Sequence, residues 1–282
     1  MPNLKTKIYK LIVRASTRMP DDVVHALESA LKTEESAGNT SAADRIKLML
    51  ENICLAEQNQ LPLCQDTGLI NFYIDAPPCT DRKAFESAAE SAVAEATGKG
   101  LLRSNSVCPL TGKNTGNNLG AGTPGFYWRE TKEKFRVRLL LKGGGSENVC
   151  TQYALPDSTL NAERNLEGVE KCVLNAVEKA GGKGCPPSVI SVCIGGDRAA
   201  GYAAAKEALF RKIGERSGTP DLAELEQNLR KKVNSLDIGP MGLGGKTTAL
   251  DVFITALNRH PASFFVTVSF MCWSCRRAEM EI

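Results

Sequence analysis

Cys64-Gln65-Asp66-Thr67-Gly68 sets a thiol, an amide and a carboxylate side by side, between Pro62 and an apolar stretch over residues 69–74. A thiolate can hold a soft metal. A carboxylate can move a proton or hold a hydroxyl group. Gly68 lets the backbone come close to whatever is bound. Taken alone, the segment reads as a turn before a strand. Four other segments suit the same chemistry and change that reading.

One runs from Leu102-Arg103-Ser104-Asn105 through Thr111-Gly112-Lys113-Asn114-Thr115-Gly116-Asn117-Asn118. Another is Lys142-Gly143-Gly144-Gly145-Ser146-Glu147-Asn148, and a third is Val192-Cys193-Ile194-Gly195-Gly196-Asp197. The last begins at Asp237-Ile238-Gly239-Pro240 and reaches Arg259-His260-Pro261 and Cys272-Trp273-Ser274-Cys275-Arg276-Arg277. Glycines placed just after strands free backbone N–H groups to point at an anion. Arg103 and Lys113 add cations, and an Arg can grip a carboxylate with two parallel hydrogen bonds. Together these features suit a small dianionic ligand. Gly244-Gly245-Lys246-Thr247 imitates the end of a phosphate-binding loop, but Pro240 stands where that loop needs its first Gly. The single C-x-x-C, Cys272 to Cys275, lacks a second pair at zinc spacing, and the chain has only 2 His. Nucleotide and zinc binding are therefore not expected.

The elements that must position these residues are of both kinds. Helices are expected over residues 5–32 with a break at Met19-Pro20, over 42–58 behind a cap at Thr40 or Ser41, and over 82–97, 160–180, 199–213 and 220–235. Strands are expected over 69–74, 135–141, 189–194, 252–256 and 264–270, with 135–141 half exposed because Arg alternates with apolar residues. Residues 103–124 read as loop. The fold class is mixed α/β, with a helix-rich N-terminal part and small sheets joined by long Gly-rich loops. We expect a single domain over 1–282, with room for two lobes.

Composition narrows the function classes. The chain has 282 residues, 42% apolar and 24% charged, with 35 basic and 32 acidic side chains for a net charge of +3. That balance gives no reason to expect nucleic acid. The N-terminus has no leader pattern and no apolar run is long enough to span a bilayer, so a cytoplasmic protein without membrane contact is expected. Most of the 10 Cys are expected to be small buried hydrophobes.

From Ser16-Thr17-Arg18-Met19-Pro20-Asp21-Asp22 to Arg277, the motifs together resemble the alpha chain, or N-terminal half, of iron–sulfur (class I) fumarate hydratases and the related tartrate dehydratases. The resemblance implies a [4Fe–4S] cluster on three thiolates, at Cys64, Cys193 and Cys272, with one iron open as a Lewis acid. It also implies a substrate shell of Gln65, Asp66, Arg103, the backbone around Gly144 and Gly145, and His260. Lys113 joins that shell as a cation. Asp66 is the acid–base candidate, or else holds the substrate hydroxyl. His260 orients Asp66 or binds substrate; on its residues alone it is a strand-edge His with a backbone partner.

The implied reaction is the reversible hydration of fumarate to malate, a step of the tricarboxylic acid cycle. Gly-Gly-Gly-Ser-Glu-Asn and the Cys193 segment look more like the fumarate branch, whereas the Ser16–Asp22 opening is shared with tartrate dehydratase alpha chains. Dehydration of tartrate to oxaloacetate is the alternative, and a non-catalytic cluster- and dicarboxylate-binding protein is a second. Only five residues follow Arg277. Single-chain relatives are expected to continue into a further domain there, so a separate beta chain should complete the pocket, in an (alpha-beta)2 assembly.

Overall fold

The computed structural model describes residues 2–282, with side chains from Leu4 onward. The chain runs α1 (Pro2–Thr17), α2 (Asp21–Ser36), α3 (Thr40–Asn59), β1 (Leu69–Ala76), α4 (Arg82–Gly98), β2 (Gly125–Glu130), β3 (Arg136–Lys142), α5 (Gly144–Asn148) and β4 (Thr151–Ala154). It continues with α6 (Leu166–Ala180), β5 (Ser188–Gly195), α7 (Arg198–Ala208), α8 (Pro220–Asn234), β6 (Ala249–Leu257), β7 (Phe265–Met271) and β8 (Arg276–Glu281). Pro20 separates α1 from α2 as expected, because its ring cannot continue a helix. Among the described residues the strands form two four-stranded sheets. The helix and sheet content is the mixed α/β expected from the sequence. No described helix is long and apolar enough to cross a membrane.

The chain divides into two compact units. The first comprises Met1–Pro20, Glu51–Gly144 and Ser274–Ile282. Its sheet has the order β2-β1-β3-β8, with β1 parallel to β2 and antiparallel to β3. Ile70, Phe72 and Ile74 alternate onto one face and pack with Ile8 and Ile12 of α1 and Phe85 of α4.

The expectation of a half-exposed β3 is corrected. Residues 137–142 are all buried. The arginines are accommodated because Asp75, on the neighbouring strand, gathers them. Its Oδ1 accepts from Arg129 Nε at 2.7 Å, its Oδ2 from Arg136 Nη2 at 3.0 Å, and Arg138 Nη2 lies 3.5 Å away. Burial opposes ionisation of Asp75, but the Arg129 and Arg136 hydrogen bonds outweigh it and hold the carboxyl below its ordinary range. A depressed folded-state value stabilises above the unfolded value, about 3.9, and that stability is lost as pH falls through the folded value. Asp75→Asn should cost about 1–3 kcal/mol near neutral pH. Urea titrations should show wild type losing its advantage over the variant as the solution is acidified below about pH 4.

The second unit comprises Asp21–Leu50 and Gly145–Trp273. Its sheet has the order β4-β7-β5-β6. Ile190, Val192 and Ile194 face α6 and α8 through Val173, Val177, Leu225 and Leu229. Ser191 alternates onto the opposite face, where its Oγ donates to Ala205 O of α7 at 2.6 Å. The helix expected from residue 160 begins at Leu166 instead. Asp157 Oδ1 accepts from the N–H groups of Thr159 and Leu160 and closes a turn there, and Asn165 caps the helix by accepting from Gly168 N. The short strands β2, β4 and β8 and the one-turn helix α5 were not foreseen. Four of the Cys are buried, among them Cys172 and Cys193, and Cys54 and Cys79 are exposed, so the expected majority of buried thiols is not met.

Candidate active site

The first unit assembles the Cys64 turn around a glycine. Gly68 has φ +74°, and a Cβ there would lie 2.2 Å from the carbonyl oxygen of Lys142. Only Gly permits the turn to press against the end of β3. That contact brings Asp66 to the first residue of α5. Asp66 Oδ2 accepts from Gly144 N at 2.8 Å, and Oδ1 accepts from Gly68 N at 2.8 Å and from Asn105 Nδ2 at 3.1 Å. The half-buried carboxylate is thus held at both oxygens by three donors from three separate segments.

Gln65 is exposed beside it, and its Oε1 accepts from Arg103 Nη1 at 3.4 Å. Arg103 is fixed through its backbone: its carbonyl accepts from Asn118 Nδ2 at 2.9 Å. Asn118 Oδ1 in turn accepts from the N–H groups of Asn105 and Ser106. Asn118 is 2% exposed and sits at φ +61°, a region its short amide side chain tolerates. It splints the loop that carries Arg103 and Asn105. Both Asn residues lie in a segment singled out from the sequence, yet no periodicity distinguished them from their exposed neighbours.

Two further residues of the expected shell have surroundings of their own. Lys113 lies on an exposed turn closed by a Cys108 N–Lys113 O hydrogen bond, and nothing joins its ammonium to Gln65, Asp66 or Arg103. His260, in the second unit, is exposed, and its Nδ1 accepts from Ala262 N at 3.1 Å. It therefore has the backbone partner that the plain reading of its surroundings supplies.

The three candidate ligand thiols occupy different surroundings. Cys64 is half-buried in the first unit. Cys193 lies within β5 of the second unit, on the face that Ser191 turns to α7, and burial pushes its thiol up to about 11. Cys272 follows β7 and is buried; its neighbour Cys275 accepts from Arg277 Nη1 at 3.3 Å. After Cys193 the chain turns at Gly195, φ +87°, where a Cβ would strike the Leu257 carbonyl oxygen at 2.2 Å. Gly145, which opens the second unit, lies against Lys183 O.

Among the described residues no three His, Cys, Asp or Glu side chains form a group that could hold a metal ion. An iron–sulfur cluster is itself several ångströms across, so its thiolates need not meet as the ligands of a single ion do. The donors fit such a group in kind: three thiols, soft ligands of the type that binds iron–sulfur clusters. A second sign of fit is Arg276, buried directly behind the Cys64–Gly68 turn with Nε and Nη2 unsatisfied, which suits a site that receives anions.

Comparison with known proteins shows the family. Residues 5–281 match the family described as Fumarate hydratase (Fumerase). The chain is 44% identical over 286 residues to a Geobacillus stearothermophilus protein provisionally named a class I fumarate hydratase, covering all of this chain and 55% of that one. It is 38% identical to a Methanocaldococcus jannaschii protein provisionally named an L(+)-tartrate dehydratase alpha subunit, over 98% of this chain and 96% of the relative. It is 35% identical to the L(+)-tartrate dehydratase alpha subunit of Escherichia coli K12, over 95% and 86% respectively. The chain thus spans little more than half of one of these relatives and nearly all of another.

Proposed function

Because this chain belongs to the fumarate hydratase (Fumerase) family, we propose that it is the cluster-binding part of a [4Fe–4S] hydro-lyase that interconverts fumarate and (S)-malate. Cys64, Cys193 and Cys272 would hold the cluster. When bound, it would supply Lewis acidity at an iron without a protein ligand, easing departure of the hydroxyl. The observation that carries the reading is the Asp66 carboxylate, separated from Cys64 by one residue and held at both oxygens, with Gln65 and Arg103 exposed alongside.

The protein's own groups divide the remaining work. Arg103 grips a substrate carboxylate, and the amide of Gln65 orients it. Asp66 takes the proton from the carbon next to the one that bears the hydroxyl, and returns it in the reverse direction. The negative charge that develops on the adjoining carboxylate needs cations and N–H donors, which Arg103 and the glycine segment at Gly144 and Gly145 provide. His260 orients Asp66 or binds substrate.

Fumarate is favoured over tartrate by the higher identity to the relative with a fumarate hydratase name, 44% against 38% and 35%. The tartrate dehydratase names support a second reading, in which L(+)-tartrate is dehydrated. Residues 1–282 act as one cluster-binding domain that needs a beta chain to complete its pocket, paired as (alpha-beta)2. Support comes from the alpha-subunit names of two relatives and from the greater length of the third. A site built on thiol ligands suits the reducing cytoplasm.

The test is anaerobic reconstitution of this chain with and without the partner, supplied with fumarate or L(+)-tartrate. Fumarate hydration that appears only with the partner is expected. Turnover of tartrate alone would select the second reading, and full activity from this chain by itself would overturn the need for a beta chain. No turnover of either, with iron content verified, would leave a non-catalytic binding protein.

A further inference from the structure

Arg276 is the first residue of β8, paired in register with Leu141, which is itself paired with Ile70. It therefore stands on the apolar face of the first unit's sheet. Its side chain is among the largest that are fully buried, at 2% exposure. Nη1 donates to the carbonyl oxygen of Asp66, while Nε and Nη2 have no hydrogen-bond partner among the described residues, and no described carboxylate pairs with the guanidinium. The contrast within the same sheet is sharp: Arg129, Arg136 and Arg138 all share Asp75. A buried cation without a counter-charge costs free energy, so a fold gains nothing in stability by keeping it.

We propose that Arg276 is the positioning residue of the Asp66 turn. Asp66 is held from two sides. Its carboxylate takes Gly68 N, Asn105 Nδ2 and Gly144 N, and its carbonyl takes Arg276. The three carboxylate bonds alone leave the peptide that follows Asp66 able to rotate, and rotation would swing the carboxylate away from the end of β3. Arg276 reaches that peptide from the core side and closes the last freedom. It acts through Asp66 and is not assigned a contact with substrate. The catalytic consequence rests on the function proposed above; the geometric one does not.

The experiment compares wild type with Arg276→Met and Arg276→Lys in the full chain. Met keeps much of the volume and removes the charge. Hydrogen exchange followed by mass spectrometry should show the amides of Gly68 and Gly144 exchanging about tenfold faster in Arg276→Met, with β1 and β3 unchanged. The melting temperature of the metal-free chain should be unchanged or raised, because an uncompensated buried charge has gone. In the partner-reconstituted enzyme, kcat should fall about tenfold with KM within about threefold, Arg276→Lys should recover part of the loss, and the Met change should add nothing in an Asp66→Asn background. Unchanged exchange at Gly68 and Gly144, uniformly faster exchange with a lowered melting temperature, or a full additive loss in the Asp66→Asn background would each overturn the proposal. Absence of turnover in the wild-type assembly would sink the proposed function and leave the exchange result to decide the role of Arg276.

Discussion

Replacing Cys64, Cys193 or Cys272 by Ser is expected to abolish the iron–sulfur absorbance of the anaerobically reconstituted chain, and Cys275→Ser is expected to retain it. A serine hydroxyl is a far weaker acid than a thiol and a harder donor, so it replaces a thiolate poorly on iron. Cys193 shows what binding demands: burial holds its thiol neutral, up to about 11, so a metal must displace the proton before it gains the ligand. The C-x-x-C offers two thiols, of which the family resemblance assigns Cys272. Cys275 is fully buried and accepts from Arg277 Nη1 at 3.3 Å. Iron content and visible absorbance of the four variants are the measurement. Loss of the cluster from Cys275→Ser together with its retention in Cys272→Ser would reverse the assignment within the pair.

Asp66→Asn should retain the cluster and lose about 10²–10⁴ in kcat, the usual effect of deleting a positioned acid–base group. The geometry adds a complication that the experiment can use. All three partners of the carboxylate are donors: Gly68 N, Asn105 Nδ2 and Gly144 N. An Asn amide turns its own NH2 toward one side of this cradle whichever way it is flipped, so one donor–donor conflict is unavoidable. Part of the loss will therefore come from a loosened turn. Exchange of the Gly144 amide reports that loosening directly, so the remainder of the loss in kcat is what the missing acid–base group accounts for. Near-normal kcat with full iron content would reduce Asp66 to a structural turn residue.

What the sequence determined by itself was local or strongly patterned. Pro20 ended one helix and Asp21-Asp22 began the next, because a missing N–H and a clashing ring act wherever the residue stands. The apolar run at 69–74 became β1, and the Cys-Gln-Asp-Thr-Gly turn before it was legible because its chemistry lies within five consecutive residues. The tertiary structure decided whatever depends on distant partners. β2, β4 and β8 are short and take their stability from the strands beside them, so their own residues carry too little pattern to announce them. The burial of Arg138 follows from Asp75 on another strand, whose counter-charge lowers the cost of burying a cation. The same holds at the candidate site. Asn105 and Arg276 reach Asp66 across 39 and 210 residues of chain. The weakened acidity of the Cys193 thiol arises from packing on both faces of β5. Residue types stated which reaction to look for; folding alone decided which groups hold the Asp66 carboxylate in place, because hydrogen bonds are made by proximity in space and a linear pattern encodes that only where the partners are neighbours.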